Sequence, residues 1–301
     1  MSELRRGFLF GIAAYVFWGF FPLYIRLLRS AGALEILAHR VVWSMVFVAL
    51  LLTVVRRWPF LKELARRPGK LAGITLASGL IAVNWGMYIF GVNTERVVET
   101  ALGYFIGPLV MVLLGVVALH ERLNAAQWTA VGIGTVAVAV LTVDYGRLPY
   151  IALTLAASFG GYSLVKKRLG LPAAEGLFVE SAMLALPALA YLTWLTAQGD
   201  STFGQGAGHT TLLVVAGAAT AIPLLLFASA ANRIPMTGIG ILQYIAPILQ
   251  LGCGVLIFHE PMPPARLAGF ALVWLALIVF TIDGLRTGRR RAAAREPAMA
   301  A

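Results

Sequence analysis

Apolar residues run along this chain in blocks of about 20, separated by short polar joints. The blocks fall at 7–27, 34–55, 71–91, 97–119, 125–143, 148–165, 174–195, 211–231, 237–258 and 264–283. About 20 helical residues cross the hydrocarbon layer of a bilayer, so the pattern predicts ten transmembrane helices and an all-α integral membrane fold. The sixth block is the weakest, being short and carrying Ser158, Gly160, Gly161 and Ser163. Most joints are turns such as Glu121–Asn124, so consecutive helices are expected to run antiparallel. The longer polar connections, 56–70 and 198–210, are too short to be soluble domains. The first block follows Arg5-Arg6 but continues to about Leu28 with no convincing small-residue cleavage site. It is expected to be retained as a helix.

A second pattern overlies the first. Between Phe105–Asp144 and Tyr244–Asp283, 11 of 40 positions are identical without a gap, at an offset of 139. Pro108 falls on Pro247, Gly115 on Gly254, His120-Glu121 on His259-Glu260, and Asp144 on Asp283. A shared Pro, His-Glu pair and Asp in one register exceed what apolar composition produces. The chain therefore divides into repeats at 1–145 and 146–285, with a basic tail, 286–301, expected to be disordered. Five helices per half is odd, so the halves are expected to be inverted, a common build of secondary transporters.

Composition agrees with the blocks: 60% of the 301 residues are hydrophobic and only 12% charged, about half the charge of a soluble domain. The net charge of +11 suggests nucleic acid at first sight. The basic residues sit instead in short clusters between apolar blocks, which is how membrane proteins fix their orientation. With the N-terminus inside, 18 of the 24 Lys and Arg fall on that side and five on the other, with Arg40 inside a helix. Both termini are thus expected in the cytoplasm. The single cysteine, Cys253, excludes an intramolecular disulfide framework and a thiol metal cluster.

Candidate chemistry lies in the polar residues within the blocks. A charge at mid-bilayer costs roughly 2.5–3.5 kcal/mol on insertion scales, so it normally faces a partner or a wet cavity. Glu35, His39 and Arg40 open the second block and Glu99 the fourth; Glu180 lies in the seventh. At an offset of 140, Arg26 falls on Lys166, Glu35 on Glu175, and Arg40 on Glu180. These charges read as two gates above and below a cavity, or as interfacial ion pairs and snorkelling side chains that tolerate the bilayer. Arg40 is expected to pair with Glu99 as an outer gate. Glu180, with only Lys166 and Lys167 near the inner surface, is expected to carry any proton coupling. Trp18, His39, Asn84, Tyr88, Tyr104, Gln243 and Tyr244 are the candidates for substrate contact; of these, Asn84 and Tyr88 share a helix face. The tyrosines, Asn84 and Gln243 offer aromatic faces and hydrogen bonds without net charge, which suits a small amphipathic or aromatic substrate. Gly7/Gly11 and Gly103/Gly107 are spaced for close helix approach. Pro108 and Pro247 are expected to interrupt their helices, and the two His-Glu pairs to cap or turn helix ends.

Several segments resemble one family. They are Glu35–Ser44, Asn84–Asn93, Glu99–Pro108, Pro223–Phe227 and Leu242–Pro247, spread from the second block to the ninth. On these the chain resembles the drug/metabolite transporter superfamily, in its EamA-like group and the RarD branch. One departure is Gly107, where the family pattern usually has Asn. The resemblance implies two inverted five-helix repeats around a central cavity in a bacterial inner membrane, moving small metabolites or drugs. A passive facilitator is the alternative. An intramembrane enzyme would need a paired-carboxylate, Ser/His or metal arrangement; neither H-E-x-x-H nor a P-loop occurs, so no ATP-driven mechanism is encoded. No cofactor and no metal are expected, and the partners expected are lipid and a small-molecule substrate.

Overall fold

The structure is a computed structural model that describes residues 2–120 and 122–299. It is helical throughout, with no strand among the described residues. In chain order the helices are α1 (Glu3–Gly19), α2 (Phe21–Leu27), α3 (Ala33–Val54), α4 (Phe60–Ala65), α5 (Pro68–Asn93), α6 (Val97–Leu119) and α7 (Ala125–Tyr145). There follow α8 (Tyr150–Leu169), α9 (Ala173–Gln198), α10 (Ala207–Ala231), α11 (Met236–Leu242), α12 (Ile245–Gly252), a π-helical stretch (Cys253–Ile257) and α13 (Pro264–Met299). Backbone helix thus runs on through 286–299, the stretch expected as a tail.

Nine stretches among the described residues are long and apolar enough to cross a membrane. The chain is an all-α membrane protein. The sixth expected block is present as α8, a 20-residue helix, but is not among the nine. Its small polar residues and the basic run 166–168 dilute its hydropathy.

Local chemistry explains where helices stop. Asn124 and Gln127 form a reciprocal capping box that starts α7, and Gly146 ends it in the left-handed conformation, φ 64°. His120 and His259 both adopt left-handed backbone, φ 54° and 56°, as the expected turn role requires. Glu121 lies outside the described residues. Glu260 goes further than a local turn. It caps another helix, accepting from Val97 N–H at 2.6 Å and Val98 N–H at 2.8 Å at the start of α6. Burial, the largest influence, pushes the Glu260 carboxyl up, while those two N–H groups and Arg266 pull it back.

The paired prolines behave differently. The helix is interrupted at Gln243–Tyr244, and Pro247 sits in the first turn of α12, where its missing N–H costs little. Pro108 instead stays inside an unbroken α6. The expected interruption of that helix does not occur.

Packing is mostly between halves. α7 packs on α13, α3 on α9 and α10, α8 on α5 and α6, α1 on α10 and α12, and α6 on α12. Phe105, Phe270 and Trp274 form an edge-on aromatic core where α6 meets α13. The pair α7/α13 is tied at both ends: Arg266 donates to Asp144 at 2.8 Å, and Asn124 donates to Asp283 at 2.8 Å. Three of the four spaced glycines mark close approaches. A Cβ on Gly11 or Gly103 would stand within 3 Å of a neighbouring helix, and one on Gly7 within 3 Å of Arg233 and Ile234 in the α10–α11 joint. Gly107 does not: it is buried, yet nothing lies within 4 Å of where its Cβ would be.

Candidate functional site

Five helices place polar groups together inside the bundle. On α5, Asn84, Trp85 and Tyr88 are buried. The Asn84 amide donates to Leu155 O at 3.0 Å and Ser158 Oγ at 3.1 Å on α8. Tyr104 on α6 reaches Asn84 Oδ1 at 3.5 Å, and its ring lies 6.0 Å from that of Tyr88. Tyr88 in turn faces Phe21 of α2, with ring centroids 6.1 Å apart. The Tyr88 hydroxyl is buried without a hydrogen-bond partner.

Arg40 enters this group and brings a charge among otherwise neutral side chains. Its Nε donates to Thr220 Oγ1 of α10 at 2.8 Å. The guanidinium carbon stands 4.2 Å from the Trp85 ring centroid and 5.0 Å from that of Phe21. Cation–π contact of this kind partly replaces lost hydration. The expected Arg40–Glu99 pair is not formed. Glu99 is held instead by Arg147 at 2.8 Å, Arg96 at 3.2 Å and the Ile151 N–H at 3.1 Å. The reason is local: Arg96 is one turn upstream on the same helix, and Arg147 comes in from the α7–α8 joint. Tyr150 lies against both arginines, accepting from Arg96 at 2.6 Å.

The expected outer gate is therefore several separate contacts. Arg26 pairs with Glu95 at 2.9 Å, and Glu35 accepts from Ser201 Oγ and Thr202 N–H in the α9–α10 connection. His39 stacks on Phe203 of that connection, centroids 4.9 Å apart, away from the Asn84 group. On the other side Lys166 does not remain apart from Glu180. Its Nζ lies 2.5 Å from Glu180 Oε1, and Tyr162 donates to Oε2 at 3.1 Å. Gly176 makes room for that lysine, because a Cβ there would stand 2.7 Å from Nζ.

Other candidates lie elsewhere. Trp18 packs with Tyr15 and Phe227, and its carbonyl accepts from Gln250 at 3.1 Å. Tyr244 faces Thr281 and lines an apolar groove of about 570 Å³ with Ile241, Ile248 and Trp274. Gln243 occupies the break between α11 and α12, half-buried. Of the seven contact candidates, then, Asn84, Tyr88 and Tyr104 come together and the other four do not. Thr220, Ser158 and Phe21, which are not among the expected contacts, join the group. In the sequence Ser158 is one of several small polar residues that weaken its block, and a neutral Thr in an apolar helix gives no signal. No group of three or more His, Cys, Asp or Glu could hold a metal ion among the described residues.

The described residues form a multi-pass helical bundle with a buried polar centre, the build of a membrane transporter. The comparisons narrow that class. The EamA-like transporter family matches residues 5–143 and 149–282. Protein RarD of Streptomyces exfoliatus is 54% identical over 298 residues, covering 99% of this chain and 95% of that protein. The uncharacterized transporter YojE of Bacillus subtilis (strain 168) is 42% identical, covering 96% and 97%. Chloramphenicol-sensitive protein RarD of Pseudomonas aeruginosa (strain PAO1) is 32% identical, covering 95% and 97%. A solved crystal structure shares the fold with a TM-score of 0.56 at 18% identity, covering 93% of this chain and 98% of that one. The chain belongs to the EamA-like transporter family, in the company of the RarD proteins.

Proposed function

We propose that this protein is a secondary transporter that exports or exchanges a small metabolite or drug by alternating access. Ten helices in two inverted five-helix repeats would surround the Asn84–Tyr88–Tyr104 group. The observation that carries this reading is the packing. Replace each helix by its counterpart in the other half and the main contacts map onto themselves. The α8 contacts with α6 and α5 become those of α1 with α12 and α10; α3–α9, α6–α12 and α7–α13 map onto themselves. Such exchange symmetry is what two alternating states of one architecture require.

The test is solute counterflow in proteoliposomes, followed by accumulation under an imposed pH gradient. Exchange is expected in the parent and a large loss in Asn84→Ala, which removes the amide between α5 and α8. In the coupling part of this reading, Glu180 exchanges its lysine for a proton. Glu180→Gln is then expected to keep counterflow and lose gradient-driven accumulation. A parent that equilibrates solute but never accumulates it points to the facilitator instead. Transport that is intact in Asn84→Ala would remove the site.

In this reading both termini lie on the cytoplasmic side, which the basic bias supports, in the inner membrane that the family resemblance implies. Cysteines introduced at Lys62 and Arg290 should resist an impermeant maleimide in intact cells, while one at Asp200 reacts. Labelling at position 290 without permeabilisation would overturn this orientation.

A further inference from the structure

Among the described residues, five buried carboxylates have partners and one buried cation lacks its counter-charge. Glu35, Glu99, Glu175, Glu180 and Glu260 are all buried. Each meets a basic side chain or a backbone N–H. Arg40 is 6% exposed, and no carboxylate among the described residues lies within 4 Å of it. Its neighbours are a neutral hydroxyl and two aromatic faces. A guanidinium has five N–H donors in a fixed fork, and here only Nε finds an acceptor. Buried charges in proteins are normally paired, because the desolvation cost is otherwise uncompensated. Cation–π contact returns only part of that cost.

Two further features bear on the same spot. The Tyr88 hydroxyl, on the ring that lies beside those of Phe21 and Tyr104, is buried without a hydrogen-bond partner among the described residues. Gly107 lies one turn beyond Tyr104 on α6 and so shares its face, and it borders open space although it is buried. A charged fork, a free hydroxyl, aromatic walls and unfilled volume are the parts of a site for an anion with an apolar body.

We propose that the transported solute is a small organic anion, whose carboxylate or phosphate is held by the Arg40 fork with the Tyr88 hydroxyl as a second donor. The solute supplies the counter-charge that the fold omits, and Thr220 holds the fork in orientation through Nε. Trp85, Phe21 and Tyr104 line the apolar body. This rests on the transporter reading and specifies its substrate class.

The test is binding to purified protein in detergent, read by thermal shift and by quenching of tryptophan fluorescence, since Trp85 is 4.2 Å from the guanidinium. The probes are benzoate and phenyl phosphate, with benzamide as the neutral isostere and benzylammonium as the cation. At least one anion is expected to bind tenfold or more tighter than both others. Arg40→Gln should abolish that preference. Arg40→Lys, which keeps the charge but not the fork, should weaken anion binding by about tenfold. Tyr88→Phe should weaken it several-fold. Equal binding of benzamide, preference for benzylammonium, absence of anion binding, or an anion preference that survives in Arg40→Gln each overturns the proposal. The parent comparison decides even if the Arg40 variants fail to fold. Counterflow of a neutral or cationic solute would sink the anion assignment while leaving the transporter reading in place.

Discussion

Gly217→Ala is expected to lower the melting temperature sharply and to release Arg40 from its hydroxyl partner. Gly217 of α10 meets the backbone of α3 so closely that a Cβ would overlap the Trp43 carbonyl and stand 2.8 Å from Ser44 N. Neither is the end of a flexible side chain that can swing aside, so α3 and α10 must separate. Overpacking costs about 1–3 kcal/mol and occasionally more; a backbone obstacle places this case at the upper end. Thr220 lies one turn along the same helix, so the displacement also pulls its Oγ1 away from Arg40 Nε. The control is Gly132→Ala in α7, where the new methyl meets nothing within 4 Å. There a helix interior gains roughly 0.5–1 kcal/mol from the exchange. Melting curves in detergent should move in opposite directions for the two variants. Equal melting would mean that the α3–α10 approach is looser than described.

The second large effect is expected at Glu99. Glu99→Ala leaves Arg96 and Arg147 facing each other and an unfilled N–H at Ile151. Breaking a fully buried pair costs roughly 3–5 kcal/mol. The Glu99 side chain is 2% exposed but that of Arg147 is 37% exposed, so water recovers part of this and about 2–4 kcal/mol is expected here. A double-mutant cycle with Arg147→Ala isolates the pair. Coupling above roughly 1 kcal/mol is expected, and coupling near zero would show that the contact is worth no more than a surface ion pair.

How far the sequence could be read depended on how far apart the interacting groups lie. Helix positions followed from the apolar blocks, because length and hydropathy are local properties. The Asn84, Tyr88 and Tyr104 grouping was legible in part: two polar residues four apart on one apolar helix must share a face, and that face must be covered. The partners of the charges were not legible. Arg40 was matched to Glu99 by sign, whereas its acceptor is Thr220, a neutral residue that no charge argument selects. Lys166 and Glu180 are 14 residues apart across a helix joint, and whether they meet depends on how α8 and α9 are rotated about their axes. Pro108 and Pro247 occupy matching repeat positions, yet only one lies at a helix break. The proline by itself does not decide where the helix stops.

The interlocking of the halves has a consequence for synthesis. Arg40 is made long before its partner, since Thr220 follows 180 residues later. At 5–20 residues per second the arginine waits roughly 10–40 s without its hydrogen-bond acceptor. Glu99 waits for Arg147, 48 residues on, and Val97 for Glu260, 163 residues on. The early helices therefore have to be sheltered by the insertion machinery, or stay near the lipid headgroups, until the later ones arrive. A ribosome stalled before α10 should hold a chain whose Arg40 is still open to the solvent side, and release of the last four helices should close it.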